Sequence, residues 1–245
     1  MFSPEKIPVK GKILDITVPI SSFTPIFPGD PEPSIEKFLT LEKDGCAVSR
    51  LSFGSHTGTH VDAPSHVLKG GLPVDSLDPW SLMGEAIVLD FSGRSGALTD
   101  SILDEAYPER EVVDSSSGIS ILLLKTKASF QKEENSETSG FQAKESYKIK
   151  ELEESPENSA YLGATGAAWI VRQGFKTVGI DGFSVDSLSS ESLPAHRTLL
   201  SNNVNIVECL ELSSVEAGMY FFLCLPLKVE GCDGAPARAL LISHS

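Results

Sequence analysis

The chain has 245 residues, of which 40% are hydrophobic and 22% charged, proportions that suit a globule able to bury its own core without staples. Lys plus Arg number 20 against 34 Asp plus Glu, a formal charge of -14. That balance excludes nucleic acid and anionic membrane surfaces as partners, since basic side chains hold both. No apolar run approaches the roughly 20 residues of a membrane span, and Met1 to Lys12 has no apolar signal core. The four cysteines, Cys46, Cys209, Cys224 and Cys232, fit neither a disulfide framework nor a zinc ribbon. A cytoplasmic location is therefore expected.

In chain order, Ile13–Val18 and Ala86–Phe91 read as strands from their β-branched and apolar content. Leu98–Tyr107 reads as a helix, opened by Thr99 and Asp100 and burying Ile102, Leu103 and Ala106. Ile119–Lys125 is a nearly unbroken apolar run of the kind found in strands buried on both faces. Gln131–Asn158 carries eight Glu and four Lys with few large apolar residues. It reads as a mobile acidic insertion at 131–158, solvated or else folded over a site or a second subunit. Tyr161–Gln173 reads as a helix stopped by Gly174, followed by strand Thr177–Ile180 and a turn at Asp181-Gly182. Asn205–Cys209, Tyr220–Leu225 and Arg238–Ile242 complete the strands, with Tyr220–Leu225 expected in the core. Many strands and few helices predict a single mixed α/β domain, or a β/β/α arrangement.

Five histidines occur, and three of them fall within eleven consecutive residues, 56 to 66. His56, His60, Asp62 and His66 are spaced four, two and four apart. A helical zinc site would suit histidines at i and i+4. Gly58, the β-branched Thr57, Thr59 and Val61, and Pro64 oppose a helix, so the segment is expected to be extended or looped. In an extended chain His60 and Asp62 point to one side, and a turn at Gly58 could bring His56 beside them. Two imidazoles and a carboxylate suit Zn²⁺ or Mn²⁺ and leave positions open for water. The bland reading is that these groups cap turns, but burying so many polar groups unpaired would be costly.

The run His56-Thr57-Gly58-Thr59-His60-Val61-Asp62-Ala63-Pro64-Ser65-His66 resembles the signature of the cyclase-like metal-dependent hydrolases. That family includes bacterial-type kynurenine formamidase and isatin hydrolase. Leu14-Asp15-Ile16-Thr17, Phe27-Pro28-Gly29-Asp30-Pro31, Val178-Gly179-Ile180-Asp181 with Ser184-Val185-Asp186, Leu193-Pro194-Ala195-His196, Ile206-Val207-Glu208 and Gly234-Ala235-Pro236-Ala237-Arg238 are similar to further family segments, in the same order. The resemblance implies a β/β/α fold of the swivelling-domain type, assembled as homodimers or homotetramers. It implies that His56, His60 and Asp62 hold one divalent metal, zinc or manganese. Asp62 would bridge to a second, completed by His196 and Glu208, and His66 would be the acid/base group. Phe27 matches the aromatic position that packs against substrate, which is typically Trp in the formamidases.

Read alone, Glu208 interrupts the apolar run Val204–Leu210 and suits a solvated edge or a cation partner, and His196 suits a turn or the surface. Together they offer the N and O donors a second metal would need. Asp30, Asp181 and Asp186 read as Asx-turn residues, and Cys209 and Cys232 as small buried hydrophobes. The expected activity is metal-dependent hydrolysis of a small-molecule amide, with an aryl formamide (N-formylkynurenine to kynurenine plus formate) as best substrate. Opening of a cyclic amide or lactone is the alternative within the enzyme class. A non-catalytic metal- or ligand-binding protein is the alternative outside it, against which His66 speaks, since a ligand site has no need of a fourth histidine.

Overall fold

The computed structural model describes residues 11–108, 118–127, 131–133, 146–148 and 159–244. In chain order the elements are β1 (Ile13–Asp15), β2 (Ser34–Leu39), α1 (Leu41–Asp44), β3 (Val48–Ser52), β4 (His60–Asp62), β5 (Met83–Asp90), β6 (Gly96–Leu98), α2 (Asp100–Ala106), β7 (Ile121–Lys125), β8 (Gln131–Glu133), β9 (Ser146–Lys148), β10 (Ala160–Leu162), α3 (Ala164–Gln173), β11 (Thr177–Ile180), α4 (Pro194–Ser201), β12 (Asn205–Glu208), β13 (Gly218–Pro226) and β14 (Gly234–Ser243). The mixed α/β expectation holds.

The main sheet runs β1-β14-β13-β5-β7-β11-β12-β4, and β4 pairs again with β14. All of these strands except β1 therefore close into a ring. β5, β7, β11 and β12 are mutually parallel, and the remaining joints are antiparallel. Parallel neighbours need crossovers, which α2, α3 and α4 supply in turn. The long strand β14 serves two partners along its length: Gly234 to Pro236 pair with β4, and Leu240 to Ile242 pair with β1.

The apolar run at β7 shows why this ring is stable. Leu122 and Leu124 face the helices, packed among residues such as Leu103, Ile170 and Leu199. Ile121 and Leu123 face the ring interior with Val88, Val207, Phe222 and Leu241. All four β7 leucine and isoleucine side chains are fully buried, as the unbroken pattern predicts for a strand covered on both faces. Truncating Leu123 to alanine would cost about 2–5 kcal/mol through the cavity left behind.

Four expectations differ from the structure. β13 is less completely buried than expected: Phe221, Phe222 and Cys224 are buried, while Leu225 is exposed. It lies on the antiparallel side of the ring, away from the crossover helices. Tyr161 and Leu162 belong to β10, which pairs in parallel with β6, so the helix begins at Ala164. The β2–β3 hairpin was not foreseen, because its apolar side chains do not alternate and most stay exposed. Helix α4 was not foreseen either, although Pro194 at its first turn is a helix-start signal. Of the acidic stretch 131–158, only β8 and β9 are described, paired antiparallel (Gln131 with Lys148); the rest of that expectation lies outside the described residues. No described helix is long and apolar enough to cross a membrane.

Candidate metal centre

Strand β4 is three residues long, and its register builds the centre. It pairs with β12 on one edge, setting His60 opposite Glu208, and with β14 on the other, setting Asp62 opposite Gly234. Being extended, β4 sends His60 and Asp62 to the same side, as expected. Gly58 turns the preceding loop at φ +63, a conformation that glycine adopts without steric cost. Its carbonyl then accepts from His60 Nδ1 at 2.8 Å, which leaves Nε2 facing the centre. The same turn returns His56, whose Nδ1 lies 2.8 Å from Asp62 Oδ1.

Asp62 is the hub. Its Oδ1 lies 3.2 Å from His60 Nε2, and its Oδ2 lies 3.3 Å from His196 Nε2. Glu208 approaches from β12, with Oε2 3.4 Å from His60 Nε2 and Oε1 3.3 Å from His196 Nε2. Glu208 Oε1 also accepts from the Val185 amide at 2.7 Å. His60, Asp62, His196 and Glu208 are each at most 4% exposed. The solo readings of Glu208 as a solvated edge and of His196 as a turn or surface histidine are thus overturned. A strand edge that looks free in sequence is covered here by β4, and His196 sits in the first turn of α4.

His196 is held by a residue that sequence reasoning assigned to a turn. Asp186 accepts from the Ala195 and His196 amides at 2.8 and 3.0 Å and from His196 Nδ1 at 2.7 Å. It therefore caps α4 and fixes the ring with Nε2 inward, the arrangement that carboxylates give metal-binding histidines. Asp181 is likewise buried rather than a surface turn residue, accepting from the Thr126 amide at 2.9 Å. Asp233, just before β14, was missed altogether; its Oδ2 lies 3.0 Å from His56 Nε2. Its one sequence signal is its place beside Gly234 in the closing segment. Cys209 is buried as expected, whereas Cys232 is only partly covered.

The electrostatics favour a cation. Although burial opposes it, Asp62 raises His56 and His60 above the ordinary imidazole range. Against the same opposing burial, Glu208, Asp186 and Asp62 push His196 up to about 12. The imidazoles draw the Asp62 carboxyl well below the usual range, although burial works the other way. Positive charge is thus demanded between these groups. His60 Nε2 and Asp62 Oδ2 are buried without a hydrogen-bond partner, a costly state unless something else occupies them. Donor atoms of His60, Asp62 and Glu208 lie within 4.8 Å of one another, and so do those of His56, Asp62 and His66. Imidazole nitrogens and carboxylate oxygens at this density fit a divalent cation.

His66 closes the short turn Pro64–His66 at the edge of the centre. Its ring centroid is 4.2 Å from that of His56 and 5.7 Å from that of His196. Burial holds it below the ordinary imidazole value, so it is neutral at pH 7. The centre opens into a cavity of about 360 Å³ lined by His56, His60, His66, His196 and Glu208 on its floor. Phe27, Phe183 and Leu193 supply its apolar lining, and Asp30 and Glu191 its remaining carboxylates. All seven residues singled out from the sequence, Phe27 included, are in or beside this one cavity.

Comparison with known proteins finds likenesses over nearly the whole chain. The family described as "Putative cyclase" matches residues 14–187. Over 229 residues the chain is 30% identical to the kynurenine formamidase of Bacillus cereus, covering 93% of this chain and 96% of that one. A solved structure described as a potential metal-dependent hydrolase with cyclase activity superimposes with a TM-score of 0.71 at 28% identity, covering 96% and 98% of the two chains. An isatin hydrolase bound to the product analogue thioisatinate gives a TM-score of 0.73 at 20% identity, over 96% and 93%, a likeness of fold.

Proposed function

The chain belongs to the cyclase family, and on that premise we propose that it is a divalent-metal-dependent hydrolase of a non-peptide C–N bond, with an aryl formamide of the N-formylkynurenine kind as substrate. The observation that carries the proposal is Asp62, whose two carboxylate oxygens each face a buried imidazole from a different segment. His56, His60 and Asp62 would hold one ion, and Asp62, His196 and Glu208 a second, zinc or manganese in either place. Such an ion, when bound, supplies Lewis acidity that brings the pKa of water near 7 and polarises a carbonyl.

The chain's own residues do the rest. Phe27 and Phe183 give an aromatic substrate apolar surface and exclude water from the cavity. His66, neutral and beside the centre, takes a proton from the attacking water and returns it to the leaving amine nitrogen. Amine release needs that proton, because an anilide anion is a poor leaving group. The test is a panel of linear formamides and cyclic imides assayed with zinc or manganese present. Turnover of formamides at the higher kcat/KM supports the proposal. A preference for cyclic amides or lactones moves the substrate toward the isatin hydrolase type, and binding without turnover of either class makes the site a non-catalytic one.

Assembly as homodimers or homotetramers is part of the same proposal. Ile35, Phe38 and Leu51 on the β2–β3 hairpin are exposed apolar side chains, which supports burial against another copy. Light scattering that gives the mass of a monomer at micromolar concentration overturns it.

A further inference from the structure

Each of the three innermost histidines turns one ring nitrogen away from the centre and hands it to an acceptor. For His60 the outer atom is Nδ1, on the Gly58 carbonyl. For His196 it is again Nδ1, on the Asp186 carboxylate. For His56 the order is reversed: Nδ1 faces Asp62 and the outer atom is Nε2, 3.0 Å from Asp233 Oδ2. An imidazole is a ligand through one nitrogen only, and the hydrogen bond made by the other decides which.

The placement of Asp233 is fixed by backbone rather than by chance. Its carbonyl accepts from the Ala63 amide at 2.9 Å, which ties it to the end of β4. The neighbouring Cys232 carbonyl accepts from the Val74 amide at 2.8 Å. The next residue must be glycine for the His56 ring to lie where it does: a Cβ on Gly234 would stand 2.9 Å from His56 Cε1 and 2.9 Å from the Val61 carbonyl. The carboxylate of Asp233 also lies 3.6 Å from His66 Nδ1, beyond hydrogen-bond length.

We propose that Asp233 is a positioning residue that commits His56 to the centre through Nδ1, so that one histidine binds through Nδ1 and two through Nε2. The inference rests on the reading of the centre as a metal site, but not on the identity of the substrate.

The experiment uses the full chain and zinc alone. Zinc affinity is measured by competition with a chromophoric chelator for wild type, Asp233→Ala and Asp233→Asn. Asp233→Ala should bind zinc about 10–100-fold more weakly, the usual cost of losing such a partner. Asp233→Asn should recover most of the loss, since its amide oxygen can still accept from Nε2–H. Long-range ¹H–¹⁵N correlation on zinc-loaded wild type supplies a readout that needs no variant: His56 should be protonated at Nε2, His60 and His196 at Nδ1. Wild-type affinity in Asp233→Ala overturns the proposal, and so does His56 protonated at Nδ1. An asparagine variant no better than alanine overturns it too, by making the effect one of charge. A wild-type chain that takes up no zinc removes the metal reading and this proposal together. A chain that binds zinc as described but hydrolyses no formamide leaves this proposal standing and overturns only the substrate.

Discussion

His60 and Glu208 face each other across the β4–β12 ladder, with Nε2 and Oε2 3.4 Å apart and neither residue more than 4% exposed. Neither could be buried alone, because an unpaired charge in such a place costs several kcal/mol. His60→Ala should therefore lose metal and lower the stability of the metal-free chain by about 3–5 kcal/mol, as loss of one partner of a buried pair does. Elemental analysis and denaturant titration measure both; full occupancy would remove His60 from the ligand set.

His66→Ala should keep its metal and lose about 10²–10⁴-fold in kcat, the range for a general acid–base group. The stem of His66 is held by the Pro64–His66 turn, and its ring by packing against other histidines and a 3.6 Å approach to Asp233, so little else should change. Steady-state kinetics beside metal analysis separates the two effects. An unchanged kcat would take the proton-transfer role from His66.

Metal uptake should release protons. The carboxylates hold His56, His60 and His196 protonated in the metal-free chain, the last up to about 12. A group whose pKa is raised by folding gives stability that is complete below the unfolded value of about 6.5 and is lost as pH rises through the folded one. The metal-free chain should accordingly weaken as pH climbs above 6.5, while apparent zinc affinity climbs. Calorimetry in buffers of different ionisation enthalpy counts the protons. Uptake at pH 7 with none released would contradict the arrangement.

The cavity should discriminate by charge. Asp30 and Glu191 line it, and among the described residues no lysine or arginine does. An ammonium-bearing aryl formamide should bind better than its N-acetylated counterpart. Asp30→Asn with Glu191→Gln should raise KM for the former about tenfold, one or two charge contacts at the surface, and leave a neutral formanilide unchanged. Equal KM shifts for both substrates would mean that the carboxylates shape the wall rather than read charge.

The fold and the centre were legible to different degrees. β7 announced itself through an unbroken apolar run, because a strand covered on both faces leaves few polar positions. The His56–His66 segment was legible because glycine, proline and β-branched residues forbid the helix that its spacing would otherwise suggest. Glu208 and His196 were ambiguous alone: nothing local tells a strand that its outer edge will be covered by β4. Asp186 and Asp233 were harder still. A carboxylate that caps a helix and one that also steers an imidazole look the same in sequence, and the difference is made by partners up to 177 residues away.

The double pairing of β14 carries a consequence in time. One strand near the end of the chain both seals the ring against β4 and clasps β1, near its beginning. During synthesis the first histidines emerge early, Glu208 late, and Asp233 later again. Until then β4 has one bare edge and His56 nothing to steer it. Such distant pairings form slowly and expose strand edges while they wait, so closure of the ring and completion of the centre depend on the same late-made strand. A nascent chain stalled just before residue 233 would carry every proposed ligand, but neither the strand that seals β4 nor the carboxylate that steers His56.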